Sequence, residues 1–256
     1  MPEQVRARSF WSGTISFGLV SIPVNLFAAS RPRGVSLRML SPDGVPLVRR
    51  YYNPETGREI SRDSIVRGYE IEKDEFVVVS DDELERVAPE KTRDIDLRVF
   101  VDRDEIDPVY FERAYFLTPA GNSAKAYRLL AATMEESNRA GIATFVMRTK
   151  EYLVAILADE GVLRAETLRF HDEIRGTDEI DLPKSSKVAS SKVTAMAKQI
   201  AKLTRKTLDE DELQDDYAER LLKLVEKKRK AGADVVEAPS DAGDEDDGGT
   251  EVIDLM

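Results

Sequence analysis

The run FWSGTISFGLVSIPVNL, from Phe10 to Leu26, puts two glycines and a proline inside an otherwise apolar, β-prone stretch. A plain buried strand has no use for two glycines. Glycine within a strand pattern marks a bulge or the close approach of another backbone, and proline removes a ladder donor and belongs at an edge or bend. The run therefore predicts a strand, a sharp bend near Phe17-Gly18, and a second strand that Pro23 demotes to an edge or bend and that leads out to Arg31 and Arg33.

Further short β-rich segments follow, bounded by turn residues. They are 35–40, 45–52, 75–79, 95–101, 109–117, 143–148, 152–157 and 162–170. Pro42-Asp43-Gly44, Asn53-Pro54-Glu55-Thr56-Gly57 and Asp159-Glu160-Gly161 carry turn chemistry between them. Short strands in series suggest an antiparallel barrel, which leaves no exposed edge. Two helices interrupt the series. Ser80-Asp81-Asp82-Glu83 is a capping box opening a short one. Asn122 or Ser123 opens a longer one, with Tyr127, Leu130 and Met134 on one face, ending before Gly141.

From about Ser185 the period becomes helical. Val193, Met196, Ala197, Ile200 and Leu203 form a stripe, with Lys198, Lys202, Arg205 and Lys206 on another face. Thr207-Leu208-Asp209-Glu210 reads as the capping box of a further helix with Leu213, Tyr217, Leu221, Leu224 and Val225 on its apolar face. Its basic end, Lys227-Lys228-Arg229-Lys230, precedes Gly232, which suits the macrodipole and a glycine stop. This hairpin reads first as a packing arm, and a docking surface for a partner is compatible with it. Residues from about 233 to 249 are Asp-, Gly- and Ala-rich with no aromatics and cannot bury enough apolar surface to order themselves, while Glu251 to Met256 regain apolar residues. The expected class is α+β, mainly β: an antiparallel β-barrel core over 1–183 with inserted helices, a C-terminal helical arm over 184–232, and an acidic tail over 233–256.

The formal net charge of -11 argues against a polyanion partner until its distribution is read. Residues 237–256 hold 8 acids and no base, and without them 38 bases face 41 acids. Residues 1–50 hold 7 bases and 2 acids, 61–110 hold 8 and 16, and 184–236 hold 13 and 9. Local clustering decides what a surface attracts, and whole-chain charge does not.

The chain has no cysteine, so it has no disulfide framework, Cys-based zinc site or thiol nucleophile. No stretch approaches the ~18 apolar residues of a membrane span, and no apolar leader follows the N-terminus; the expectation is a soluble intracellular protein with no membrane partner. His171, the one histidine, stands beside Asp172 and Glu173 with no partner ligand and reads as structural. The carboxylates of 70–75 and 80–83 suit a solvated turn and a helix cap better than a Mg²⁺ site. No phosphate-cradling glycine motif is present. The expectation is therefore no catalytic residue, no metal and no cofactor.

Basic residues on strands and loops offer a different chemistry. Arg31 and Arg33 flank Pro32, and Arg38, Arg49 and Arg50 follow. Lys125 and Arg128 begin the middle helix, Arg148 and Lys150 end a strand, and Arg164 and Arg169 alternate with apolar neighbours. These are the candidate DNA-binding residues. With no recognition helix, RNP-like aromatic pair or finger spacing, they point to backbone contact without base readout.

The opening run resembles that of the bacterial and phage Ku family, whose members clamp the ends of broken duplex DNA. Gly68-Tyr69-Glu70 with Lys73 and Phe76-Val77-Val78 is similar to the family's second block. Glu105 to Phe111 with Tyr115-Phe116-Leu117 is similar to its third, and Ala126 to Leu130, Gly141 to Arg148 and Glu166 to Arg169 continue the order. The resemblance covers about residues 9–175. It implies a β-barrel core, a ring-shaped homodimer around DNA ends, an ATP-dependent DNA ligase (ligase D type) as partner in non-homologous end joining, and a cytoplasmic, nucleoid-associated location. Many relatives carry a Cys pair near the turn that here reads Asn53 to Gly57, so any zinc held there is not expected in this chain. A metal-dependent nuclease and an RNA-binding barrel are the alternative classes.

Overall fold

A computed structural model describes residues 7–31, 35–90, 92–181 and 188–236. The chain divides into two compact units, Met1–Arg31 with Val66–Leu182, and Pro32–Ile65 with Pro183–Met256.

The first unit holds a closed barrel. Its strands are β1 (Trp11–Phe17), β2 (Val20–Ala28), β7 (Asp94–Asp102), β8 (Phe111–Pro119), β9 (Arg139–Met147), β10 (Lys150–Asp159) and β11 (Val162–Leu168), in the order β1-β2-β8-β11-β10-β9-β7. Each neighbouring pair is antiparallel except the one that closes the ring, β1 with β7, where Thr14 pairs with Asp94 and Ser16 with Asp96. The β1–β2 hairpin turns through Gly18-Leu19, with Phe17 opposite Val20. Gly18 has φ +53°, a conformation glycine adopts without a Cβ clash. Gly13 is required for a different reason: a Cβ there would overlap the Trp11 ring and the Arg93 carbonyl. The predicted bend and both strands are thus present.

Pro23 is not at an edge. It lies within β2, opposite Thr14, in the closed ring. Its carbonyl accepts from the Ala120 N–H at 2.9 Å, just past the end of β8, while the Thr14 N–H turns away to the Arg93 carbonyl at 2.8 Å. No ladder donor is demanded of residue 23, so the missing N–H costs nothing.

Period-two alternation sends Ile22, Val24 and Leu26 into the barrel. They meet Ile15, Ile95, Leu117, Val154, Ile156 and Leu163, all 0–1 % exposed. Each such side chain contributes about 1.5–3 kcal/mol through burial. Helix α2 (Ala124–Glu136) buries Tyr127, Leu130, Ala131 and Met134. The Tyr127 hydroxyl donates to the Leu117 carbonyl (2.6 Å) and accepts from the Leu163 N–H (2.8 Å), spanning the β8–β11 seam. Burial pushes that phenol's pKa up. The helix stops at Ser137-Asn138, where Asn138 takes φ +51°, and Gly141 lies in β9 rather than at the stop.

Outside the barrel wall, β5 (Arg67–Glu72) and β6 (Glu75–Val79) form a hairpin that leaves Tyr69 and Phe76 exposed. β5 was not expected as a strand: its glycine and charges hide the alternation. Helix α1 (Asp81–Val87) carries the predicted capping box, Ser80 with Glu83.

In the second unit the predicted strands over 35–40 and 45–52 shrink to an isolated bridge, Leu40 with Pro46, and the two residues of β3 (Tyr51–Tyr52) against β4 (Glu59–Ile60). Leu37, Leu47 and Val48 are exposed. β-prone side chains hold a strand only against a packed neighbour, and these have none among the described residues. Asn53 Oδ1 accepts from the N–H groups of Glu55 (2.9 Å) and Thr56 (3.0 Å), so an Asx turn holds the 53–57 loop. The helices are α3 (Ser190–Leu203) and α4 (Asp216–Ala231). The box predicted at Thr207 does not open α4. Asp209 caps only a short 3₁₀ turn, and Asp215, nearer and able to reach the Ala218 N–H at 2.9 Å, caps the helix, so Leu213 lies outside it. Gly232 ends α4 with φ +60°, as expected.

Candidate nucleic-acid interface

Strand directions sort the basic residues of the barrel by end. The β1–β2 turn, the end of β8 and the β10–β11 turn share one end, to which α2 is tied by the Ser123 hydroxyl donating to the Pro23 carbonyl (2.7 Å). The start of β1, the ends of β2 and β11 and the β9–β10 turn share the other.

Arg31, Arg148, Lys150 and Arg169 fall at the second end. Arg31 follows β2 and is exposed, with no ion pair among the described residues. Arg148 and Thr149 form a two-residue hairpin turn with φ +50° and +68°. Such a turn favours Asn-Gly, so an arginine there holds a strained backbone and an exposed cation at the barrel rim. Lys150 stands 5.5 Å from the centroid of the Tyr152 ring, a cation–π contact. Arg169 is used structurally: one guanidinium nitrogen donates to the carbonyls of Val109 (2.9 Å) and Phe111 (2.6 Å), clamping β11 to the start of β8. Beside it the Tyr110 hydroxyl and His171 Nδ1 are 3.1 Å apart, so the one histidine is a hydrogen-bonded strut.

Lys125 and Arg128 lie on the exposed side of α2, at the opposite end. Arg164 lies in β11, half-buried, with its buried Nε 3.5 Å from Glu166 Oε1 and without a hydrogen-bond partner among the described residues. In the second unit Arg38 is exposed beside the Leu40–Pro46 bridge, Arg49 is exposed, and Arg50 pairs with Glu59 at 2.8 Å. Arg33 lies outside the described residues.

Sequence reading missed Arg93 and Arg113. Arg93 lines an open cleft with Ser9, Phe10, Trp11 and Ser12 at the rim that holds Arg31 and Arg148. Only the parallel closure of β1 on β7 brings it there, and a pairing between strands far apart in sequence leaves no local signal. Arg113 projects from β8 near the same end, 72 % exposed and 4.0 Å from Glu112. Its place in the alternation of β8 is legible in the sequence.

Among the described residues no three His, Asp or Glu side chains group as a metal site would, and no described helix is long and apolar enough to cross a membrane. The rim thus gathers exposed cations, Arg31, Arg93, Arg148 and Lys150, at strand ends.

The family model described as the Ku70/Ku80 beta-barrel domain matches residues 16–202. A protein named "Non-homologous end joining protein Ku 1" from Geotalea uraniireducens is 38% identical over 247 residues, covering 96% of this chain and 94% of its own length. Its namesake from Saccharopolyspora erythraea is 39% identical over 242 residues, 93% of this chain and 74% of that one. "Non-homologous end joining protein Ku" of Archaeoglobus fulgidus is 36% identical over 224 residues, 86% and 88%. A closed barrel with this strand order, matched along most of its length by such relatives, belongs to the Ku family.

Proposed function

We propose that this chain binds the ends of double-stranded DNA independently of sequence, as a ring-shaped homodimer, and recruits an ATP-dependent DNA ligase in non-homologous end joining. The observation that carries the reading is the family match over residues 16–202, a span that contains the described basic residues of the barrel rim. Relatives along nearly the whole chain are named for end joining. In this reading the protein is not an enzyme. Residues 1–183 bind DNA and dimerise, 184–232 offer the ligase a docking arm, and 233–256 form an acidic tail. Arg31, Arg93, Arg148 and Lys150 meet phosphate.

A closed ring threads only from an end, and two-fold pairing is the default for such assemblies. The test is a gel shift on one plasmid in linear and closed circular form. Binding to the linear form alone is expected, and equal affinity for both ends the proposal. Affinity should also fall steeply with salt, because each phosphate contact releases a counterion. Arg31→Ala and Arg148→Ala should each lower the salt slope by about 1 at every sequence. Light scattering at micromolar concentration should give a dimer. The recruitment arm is tested by ligating linear plasmid at matched DNA occupancy with full-length protein and with a form cut at Ser185, which should stimulate the ligase less.

A further inference from the structure

The start of the first strand builds a small cleft at the barrel rim. Phe10 stands one residue before β1, and its N–H donates to the Leu26 carbonyl at 3.2 Å, so the β1–β2 ladder already holds its backbone. Its ring leans on Tyr115 of β8, with centroids 5.4 Å apart and planes at 52°. That support positions the ring, yet Phe10 stays 43% exposed. Trp11 beside it is half-buried and packs edge-on against Phe145 at 5.6 Å. The missing Cβ of Gly13 lets the Trp11 ring and the Arg93 carbonyl come together. The same carbonyl accepts from the Thr14 N–H at 2.8 Å, which ties residue 93 to β1.

The cleft measures about 260 Å³ and is lined by Ser9, Phe10, Trp11, Ser12 and Arg93. Two aromatic rings, two hydroxyls and one guanidinium line it, and no carboxylate does. Arg93 is exposed and pairs with no acid among the described residues. Arg113 lies two residues before Tyr115 in β8, hence on the same side of that strand, and adds an exposed cation near the same end. The lining thus combines a π-face with donors for an anion. A nucleotide has the matching parts, a flat base and a phosphate. The volume is below the ~300–1,000 Å³ of an enclosed ligand pocket, so it suits a single nucleotide better than a dinucleotide or a large cofactor.

Inside a duplex every base is stacked and paired, so only an unpaired nucleotide can lay its base on Phe10. An overhang or a frayed end supplies one. We propose that this cleft takes one unpaired terminal nucleotide of a DNA end, with its base on the exposed face of Phe10 beside Trp11 and its phosphate on Arg93. The hydroxyls of Ser9 and Ser12 are further donors to it. The proposal rests on the reading of this rim as the DNA-facing surface and deepens it: encirclement selects ends over closed DNA, and the cleft selects among ends.

The test uses the full-length protein and three duplexes of one sequence. One is blunt, one ends in a single unpaired nucleotide, and one ends in an abasic unit of the same charge. The unpaired nucleotide should tighten binding about tenfold over the blunt end, the size of one base–aromatic stack. It should also quench Trp11, the chain's one tryptophan, beyond any change seen with the blunt duplex. The abasic and blunt duplexes should behave alike. In Phe10→Leu, which keeps an apolar side chain at that position, the tenfold preference should vanish. Blunt-duplex affinity and the choice of linear over closed circular plasmid should stay as in the unaltered protein. Equal affinity for all three duplexes, with linear plasmid still preferred, overturns the cleft and leaves the end-binding reading standing. A gain from the abasic unit as large as from the nucleotide assigns the effect to charge and overturns stacking. A preference that survives in Phe10→Leu removes that ring from the site and overturns it too. Failure of the unaltered protein to choose linear over circular plasmid defeats the reading beneath the proposal, and the proposal with it.

Discussion

The barrel and the C-terminal arm use the same kinds of apolar residue to opposite effect. In the barrel Ile15, Leu26, Leu117 and Ile156 are fully shielded, every strand is paired on both sides, and a polar hydroxyl is brought inside only where it has two partners. In the arm Val193, Met196, Ile200 and Leu203 stay 56–83% exposed along α3, and α4 buries no residue. A sheet closed on itself carries its own stability. An amphipathic helix borrows stability from whatever covers it. The contrast teaches that hydrophobic periodicity reports a face to be covered and does not say by what.

Substitutions probe this contrast most directly. Ile156→Ala should destabilise the protein by about 2–5 kcal/mol in urea unfolding, whereas Ile200→Ala on α3 should cost under about 1 kcal/mol. Equal losses would mean that the arm is as well packed as the barrel. Tyr127→Phe should cost about 1–3 kcal/mol, because the Leu117 carbonyl and the Leu163 N–H lose a shared buried partner. A neutral result would show the β8–β11 seam closing without the hydroxyl. Gly18→Val should cost about 1–2 kcal/mol through its positive φ, read as a lower melting temperature with barrel circular dichroism retained.

The smallest effect is electrostatic. The backbone N–H of Ser80, then its hydroxyl, hold the Glu83 carboxyl below its usual pKa, and the Lys223 ammonium does the same for Glu219. A depressed folded pKa stabilises above the unfolded value and is lost as pH falls through the folded one. Helices α1 and α4 should therefore lose stability as pH falls below the ordinary glutamate range, before the barrel does, visible as early loss of helical ellipticity. Simultaneous loss of both signals would join the two regions into one cooperative unit.

Much of the barrel was legible because its strands announce themselves locally: alternation in β2, turn residues at Gly18 and Gly161, and the Ser80 box. The candidate site was less so. Arg31 and Arg148 stand out in the sequence because each follows a predicted strand, while Arg93 needed the β1–β7 pairing. Arg169 was chosen for its charge, yet two carbonyls hold it. The strands expected near 35–52 failed because propensity there has no sheet to join, and the helix start near 207 failed because Asp215 outcompetes an earlier box.

The strand order also has a consequence in time. β11 is the last strand of the ring in sequence and sits between β8 and β10. Until residues 162–168 emerge from the ribosome, the other six strands can form only an open sheet with β8 and β10 as bare edges. At about 5–20 residues per second, synthesis from the end of β10 to the end of β11 lasts on the order of one second. During that interval Tyr127, already made, offers its hydroxyl at the gap where Leu163 will dock. The chain thus carries the latch of the barrel before the stave that it secures, and the nascent protein is most prone to pair with a stranger in the moments before that stave arrives.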